Sequence, residues 1–186
     1  LSYGHRDLTT IGLSSPMYGL TERMEAVRKP AWCVYPALFW PLAAVWLGDS
    51  LLKRYVEANW PYGAQLPAWP NVLAFRFVEN KGVAFSLFSQ VAPFALLAVN
   101  GLFIVGLLGW ALQPKPMPLL QRLSLGLIIG GALCNWVDRL LDGGVTDYLE
   151  PLFVRFPIFN LSDIAISVGA ALLVYVWSFR NADSPA

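Results

Sequence analysis

Residues 119–141 read LLQRLSLGLIIGGALCNWVDRLL, and the fold class follows from this stretch. A bilayer core about 30 Å thick is crossed by roughly 17 to 25 mostly apolar residues in a helix. The stretch meets that length, yet it places Asn135, Asp138 and Arg139 near its end. Because an ionisable residue in a membrane helix is costly, it needs a partner or a function. We therefore expect a membrane helix with a polar face at one end.

Three further stretches are long and apolar enough to span a membrane, at about 31–52, 91–112 and 160–179. The sequence therefore predicts an all-α integral membrane protein with four transmembrane helices. Residues 30–180 would form the membrane domain, preceded by an N-terminal tail at 1–29 and followed by a short tail at 181–186. One four-helix unit is large enough to hold a whole site, so we expect a monomer.

The composition agrees with a membrane protein and argues against several other classes. The chain is 56% hydrophobic and 13% charged, with a mean hydropathy of +0.53, whereas soluble domains carry about 25% charged residues. A net charge of +1 gives no reason to expect a nucleic-acid partner. The only histidine is His5, and both cysteines, Cys33 and Cys134, lie in apolar segments. We therefore expect no disulfide framework, no metal site and no cofactor.

The sequence indicates the orientation of the protein in the membrane less clearly than it indicates the spans. An even number of spans places both termini on the same side. Lysines and arginines are equally numerous on the two sides, so the positive-inside rule does not decide by counting. Lys53 and Arg139 would count less if they were held in a folded site. On that argument we expect both termini to be cytoplasmic.

The two longer connections would face the side opposite the termini. Alternation of apolar residues from Leu73 to Glu79 predicts a strand and a small sheet on the membrane surface. Residues 142–159 carry Gly143, Gly144 and Pro157 and are expected to be mostly loop.

Polar residues recur at helical spacing in the last two predicted spans. Gly131, Asn135 and Asp138 follow one another at steps of four and three, so they share one helical face. Asn160 and Asp163, three residues apart, share a face at the start of the last span. We expect these two faces to meet near the outer membrane boundary, with Asp147 between them in the connection.

These polar residues have both a structural and a functional interpretation. Asp49 with Lys53, and Asp138 with Arg139, would form structural ion pairs, and Asn160 would cap a helix. Asp147 and Asp163 have no cation next to them in sequence. Two such carboxylates brought together would share a proton and could activate water for peptide hydrolysis. A transporter, a proton-relay protein or a non-enzymatic scaffold also remains possible from spacing alone.

Five sequence blocks, in order, resemble the signature of prolipoprotein signal peptidase, the signal peptidase II family. They are DSLLK at 49–53, NKGVAFS at 80–86, GGALCNWVDR at 130–139, VTD at 145–147 and FPIFNLSD at 156–163. The resemblance covers about residues 31–179. It implies a four-helix enzyme of the bacterial inner membrane, with a small periplasmic β-sheet cradle and an active site near the periplasmic face. The substrate would be a lipid-modified prolipoprotein, cut just before its diacylglyceryl cysteine.

The resemblance also implies roles for individual residues. Asp147 and Asp163 would be catalytic, and Asp49 and Lys53 would be structural. The remaining signature positions would order the site and contact the ligand: Asn80, Gly82, Gly131, Asn135, Asp138, Arg139 and Asn160.

The chain departs from the family signature at four positions, without losing any acidic or amide residue. Cys134 stands where Gly is usual, Ser162 replaces Ala, and Tyr148 replaces Phe. Val83 also replaces Ala. Only Cys134 is expected to matter for packing, because it adds bulk directly before Asn135.

Overall fold

Four helices and three strands make up the described part of this computed structural model, residues 35–82 and 92–180. The helices are α1 (Pro36–Asn59), α2 (Ala92–Ala111), α3 (Leu119–Leu141) and α4 (Leu161–Arg180). The strands are β1 (Gln65–Trp69), β2 (Leu73–Asn80) and β3 (Val145–Pro151). The predicted tails at 1–29 and 181–186, together with Cys33 and Val83, lie outside the described residues.

Helix α3 is the central helix of the described fold. It packs against α1, α2 and α4, and 61% of its apolar span is buried, against 11% for α2 and 22% for α4. Its Leu125 and Ile129 are fully buried together with Leu38 of α1. The other helices leave large apolar side chains exposed, as a helix facing lipid does.

Three helices in the described part of the chain are long and apolar enough to cross a membrane: Phe94–Ala111, Leu119–Leu141 and Leu161–Phe179. They coincide with the second, third and fourth predicted spans, and α3 has the predicted bounds. Helix α1 begins at Pro36 and runs seven residues past the predicted end at Leu52. It carries Asp49, Lys53, Arg54 and Glu57 and is not among the three, so the first predicted span stays a prediction.

Glycines allow α3 to approach its neighbours closely. A Cβ atom on Gly130 would lie 2.6 Å from the carbonyl oxygen of Leu42 in α1. A Cβ atom on Gly131 would lie 2.5 Å from the carbonyl oxygen of Ser162 in α4. No side chain fits at either distance. The two adjacent glycines therefore bring α1 and α4 against α3 at the same level.

The three strands form one antiparallel sheet in the order β1–β2–β3. Strand β2 confirms the strand predicted from Leu73 to Glu79. Residues 142–144 and 152–158 are loop, as expected for most of 142–159, but the strand β3 between them was not predicted; it pairs with β2, with Val78 opposite Asp147. Residues 145–148 of β3 are all buried, so the strand has no alternation of apolar and polar residues to reveal it.

Candidate functional site

Asp147 and Asp163 meet around the side chain of Asn160. The Asn160 Nδ2 amide donates to Asp147 Oδ1 at 2.7 Å. The Asn160 Oδ1 oxygen accepts the backbone N–H of Asp163 at 3.0 Å. One amide side chain therefore fixes the strand residue and the helix residue relative to each other. The expected meeting of the two polar faces, with Asp147 beside them, is confirmed.

The N-terminus of α4 is fully capped. Asn160 and Asp163 exchange hydrogen bonds, since the Asn160 N–H also donates to Asp163 Oδ2 at 3.2 Å, in the manner of a capping box. The N–H of Leu161 donates to the Tyr148 hydroxyl and that of Ser162 donates to Asp49 Oδ2, while the N–H of Ile164 makes the first hydrogen bond within the helix, to the Asn160 carbonyl. All four N–H groups that a helix leaves unpaired at its start thus have partners here. The predicted cap at Asn160 is confirmed.

Asp147 is a buried carboxyl group, 2% exposed, on β3. Burial raises its pKa to about 6, and the nearby negative charge of Asp163 adds to the rise. Hydrogen bonds from Asn80 Nδ2, at 3.0 Å, and from Asn160 act in the opposite direction but do not cancel it. Asp147 therefore keeps a proton at a pH where an ordinary aspartate is ionised.

Asn80 is held in place by Gly82. The N–H of Gly82 donates to Asn80 Oδ1 at 3.0 Å, which leaves the Asn80 Nδ2 amide facing Asp147. Gly82 has φ = +71°, a conformation that other residues rarely adopt. A Cβ atom there would also lie 2.9 Å from the Leu96 side chain.

Asn135 orders the other aspartate. Its Oδ1 oxygen accepts from Lys53 Nζ at 2.8 Å and from Asn160 Nδ2 at 3.2 Å. These two donors fix the orientation of the amide, so that Asn135 Nδ2 faces Asp163 Oδ1 and donates to it at 2.9 Å. Gly131, one turn earlier on α3, lets the α4 backbone come close enough for this contact.

Lys53 joins α1 to the site on α3. Its ammonium lies 3.0 Å from Asp49 Oδ2, 2.8 Å from Asn135 Oδ1 and 2.6 Å from Asp138 Oδ2. These three oxygen acceptors match the three N–H donors of a lysine, and the Cys134 sulfur lies farther away, at 3.7 Å. The predicted Asp49–Lys53 ion pair is confirmed.

The predicted pair of Asp138 with Arg139 is not formed, and Lys53 takes the place of Arg139. Neighbouring helix residues point in different directions, so the partner comes from another helix. Arg139 instead donates from Nη1 to the Asn135 carbonyl at 3.2 Å, and its buried Nε has no partner among the described residues. Its charge interacts with Asp147 and Asp163.

A cavity of about 460 Å³ opens beside Arg139 between α2 and α3. Lys81 and Asp142 join Arg139 as its polar lining, and the apolar wall comes from Phe94, Leu96, Leu97, Leu140 and Leu141. An apolar cavity with a few charged groups is suited to a ligand that is mostly apolar. Within residues 35–82 and 92–180, no group of three His, Cys, Asp or Glu side chains could hold a metal ion.

Sequence reasoning treated Tyr148 and Ser162 only as departures from a signature, yet both hydroxyls donate to Asp49. Cys134 also lies beside the Asp49 carboxylate, with its sulfur 3.6 Å from Asp49 Oδ2 and 3.5 Å from Ser50 Oγ. The effect on packing expected from the bulk of Cys134 stays a prediction.

Glu57 was not predicted from the sequence as a residue near the site. It lies one turn after Lys53 on the same face of α1, and it accepts a hydrogen bond from Thr146, the residue before Asp147. Glu57 follows Lys53 by four residues, just as Lys53 follows Asp49 by four residues. This repeated helical spacing could have identified Glu57 from the sequence.

The sequence and the fold both have known relatives. The family model described as Signal peptidase (SPase) II matches residues 42–179. The lipoprotein signal peptidase of Synechocystis sp. is 40% identical over 147 residues, covering 76% of this chain and 88% of that protein. That of Lactococcus lactis subsp. lactis is 39% identical over 127 residues, covering 68% and 83%.

A solved structure, described as a bacterial membrane enzyme at 2.3 Å resolution, shares the fold with a TM-score of 0.71. It is 20% identical and covers 78% of this chain and 90% of its own. The family match begins within α1 and ends in the last turn of α4, so it takes in α2, α3 and the whole sheet, together with Asp147, Asp163 and the side chains that order them. This protein belongs to the signal peptidase II family.

Proposed function

We propose that this protein is a membrane-embedded aspartic endopeptidase that removes the signal peptide from diacylglyceryl-modified prolipoproteins. The observation that carries the proposal is the arrangement of Asp147 and Asp163 on the two ends of one Asn160 amide. Neither carboxyl group has an ion-pair partner within the described residues. Family membership makes the protein a peptidase, and the aspartate pair supplies the chemistry.

The two carboxyl groups would work as one acid and one base. Asp147, with its raised pKa, carries the shared proton, and Asp163 is the carboxylate. Asp163 takes a proton from a water molecule, whose oxygen attacks the scissile carbonyl carbon, while Asp147 gives its proton to the carbonyl oxygen. In the collapse of the tetrahedral intermediate, Asp163 returns a proton to the leaving amine and Asp147 recovers its own. The cycle needs neither a metal nor a nucleotide.

The substrate class follows from the relatives and from lipid chemistry. The relatives are named lipoprotein signal peptidases. Each methylene of a lipid anchor gains about 0.8 kcal/mol by staying in the bilayer, so the scissile bond must be cut at the membrane boundary. Asp163 lies in the first turn of the apolar helix α4, and Asp147 lies on the sheet just before it. That placement supports cleavage at the boundary.

In this proposal α1 is also a membrane span, the first of four along the chain. The protein lies in the bacterial inner membrane as a monomer. Both termini are cytoplasmic, and the aspartates face the periplasm. An alkaline phosphatase fused after Lys115, between α2 and α3, should be inactive; an active fusion would contradict this orientation.

The decisive experiment uses purified protein and a synthetic prolipoprotein carrying the diacylglyceryl cysteine. Asp147→Asn and Asp163→Asn should each abolish cleavage, because an amide keeps the shape of the carboxyl group but cannot exchange its proton. Glu150→Gln, which removes an ion-paired carboxylate from the same strand, is the control and should cleave normally. Substrate without the lipid should be cut far more slowly, and EDTA should change nothing. Near-normal cleavage by either aspartate variant would refute the aspartic mechanism, and equal rates on both substrates would refute lipid recognition.

A further inference from the structure

The carboxylate of Asp49 lies behind the aspartate pair and is fully buried, 0% exposed. Its Oδ1 accepts from the Tyr148 hydroxyl at 2.8 Å. Its Oδ2 accepts from the Ser162 hydroxyl, from the Ser162 N–H at 3.3 Å and from Lys53. A buried carboxylate needs such hydrogen-bond partners. Two of them, Tyr148 and Ser162, lie on the two segments that carry Asp147 and Asp163.

Two of the partners are sequence neighbours of the two aspartates. Tyr148 follows Asp147 on β3, and Ser162 precedes Asp163 on α4. Successive strand residues point to opposite faces, so Asp147 turns toward Asn160 while Tyr148 turns toward Asp49. Asp49 therefore holds, from behind, the two backbone segments that carry the aspartates.

The Tyr148 hydroxyl links the two segments directly as well. It donates to Asp49 and accepts the N–H of Leu161, the first residue of α4, at 3.2 Å. Strand β3 is thus tied to the start of α4 through a single oxygen.

We propose that Tyr148 and Ser162 are positioning residues that act through Asp49 to set the distance between Asp147 and Asp163. This inference rests on the proposed function, since it assumes that the two aspartates perform the reaction. Neither hydroxyl contacts the side chain of Asp147 or of Asp163. We therefore expect the loss of either hydroxyl to lower the turnover rate and to leave substrate binding unchanged.

The expected size follows from how sharply rates depend on placement. A displacement of about 1 Å in a catalytic group can cost as much as 100-fold in rate. Removing one hydroxyl leaves Asp49 with its remaining donors, so the loss should be about tenfold for Tyr148→Phe and somewhat less for Ser162→Ala.

The test measures kcat and KM for Tyr148→Phe, Ser162→Ala and the double variant on lipidated substrate, with thermal melting in parallel. Tyr175→Phe and Ser178→Ala, in the C-terminal part of α4, are the matched controls. We expect kcat to fall in both single variants while KM stays within about twofold. The double variant should lose less than the product of the two single losses, because both act through one carboxylate.

Unchanged kcat in both single variants, or a loss that only follows the fraction of unfolded protein, would overturn the inference. So would a loss expressed mainly in KM. These outcomes leave the proposed function intact as long as the wild-type protein cleaves and Asp147→Asn does not. Failure of the wild-type protein to cleave would instead contradict the proposed function itself.

Discussion

Under the proposed mechanism, Asp147 determines the pH range in which the aspartate pair works. The active pair carries one proton, and the pKa of Asp147, raised by burial to about 6, marks where that proton is lost. We therefore expect kcat/KM to fall as pH rises through about 6, by about tenfold per unit beyond it. Asn80→Ala removes a hydrogen bond that lowers this pKa, so the decline should move to higher pH. A pH profile of kcat/KM for both proteins checks this, and a decline moved to lower pH would contradict it.

Asp138 has the structural role that its sequence position predicted, but its partner is Lys53 rather than Arg139. Asp138→Asn would remove the anionic partner that lies 2.6 Å from Lys53 Nζ. Lys53 keeps Asp49, so the free energy of unfolding should fall by about 1–3 kcal/mol without loss of the fold. Thermal melting in detergent measures this, with Asp142→Asn, an exposed residue at the end of α3, as the control. A melting temperature equal to that of wild type would show that the Lys53–Asp138 pair is dispensable.

At the scale of the elements, the absence of a side chain at Gly131 lets α3 and α4 approach closely beside the site, as the absence of one at Gly169 does farther along α4. Gly131→Ala would place a Cβ atom 2.5 Å from the Ser162 carbonyl oxygen, and backbone cannot yield as a side chain does. We expect a loss of about 1–3 kcal/mol in unfolding free energy, together with reduced cleavage because the start of α4 moves. Gly106→Ala on α2 is the matched control, since nothing lies within 4 Å of its added methyl group. Equal stability of the two variants would contradict the close packing.

The elements differed in how well the sequence predicted them, for physical reasons. The bounds of α3 were predicted because apolar length is set by bilayer thickness. Strand β2 was predicted from alternation, which requires one face to be less buried than the other. Strand β3 is buried on both faces at residues 145–148, and its glycine-rich approach reads as loop. Helix α1 continues past Leu52 because its later residues contact the site and the sheet, which no apolar window detects.

The site was predicted to the extent that its contacts are local in sequence. The Asn160–Asp163 cap and the Asp49–Lys53 pair lie within one helical turn, so spacing predicted them. The bond of Lys53 to Asp138 spans 85 residues and depends on how α1 is rotated against α3. The hydroxyls on Asp49 depend on the same rotation. Such contacts become visible only when the helices are packed.

At the scale of the whole molecule, each part of the site comes from a different part of the chain. Helix α1 provides Asp49 and Lys53, β2 provides Asn80, α3 provides Asn135, and β3 and α4 provide one aspartate each. The site therefore exists only in the packed protein, and no single helix or hairpin should retain activity.

The three acceptors of Lys53 also bear on how the protein is made. Only Asp49 belongs to the same helix, whereas Asn135 and Asp138 are synthesised some 80 residues later. If α1 is a membrane span, as proposed, the Lys53 ammonium stays poorly compensated until α3 leaves the ribosome, and a cation at the centre of a bilayer helix costs about 2.5–3.5 kcal/mol. A nascent chain that ends before α2 should therefore insert poorly, and Lys53→Leu should improve its insertion while destabilising the finished protein. An in vitro insertion assay that found no gain from this substitution would show that α1 enters the bilayer without waiting for α3.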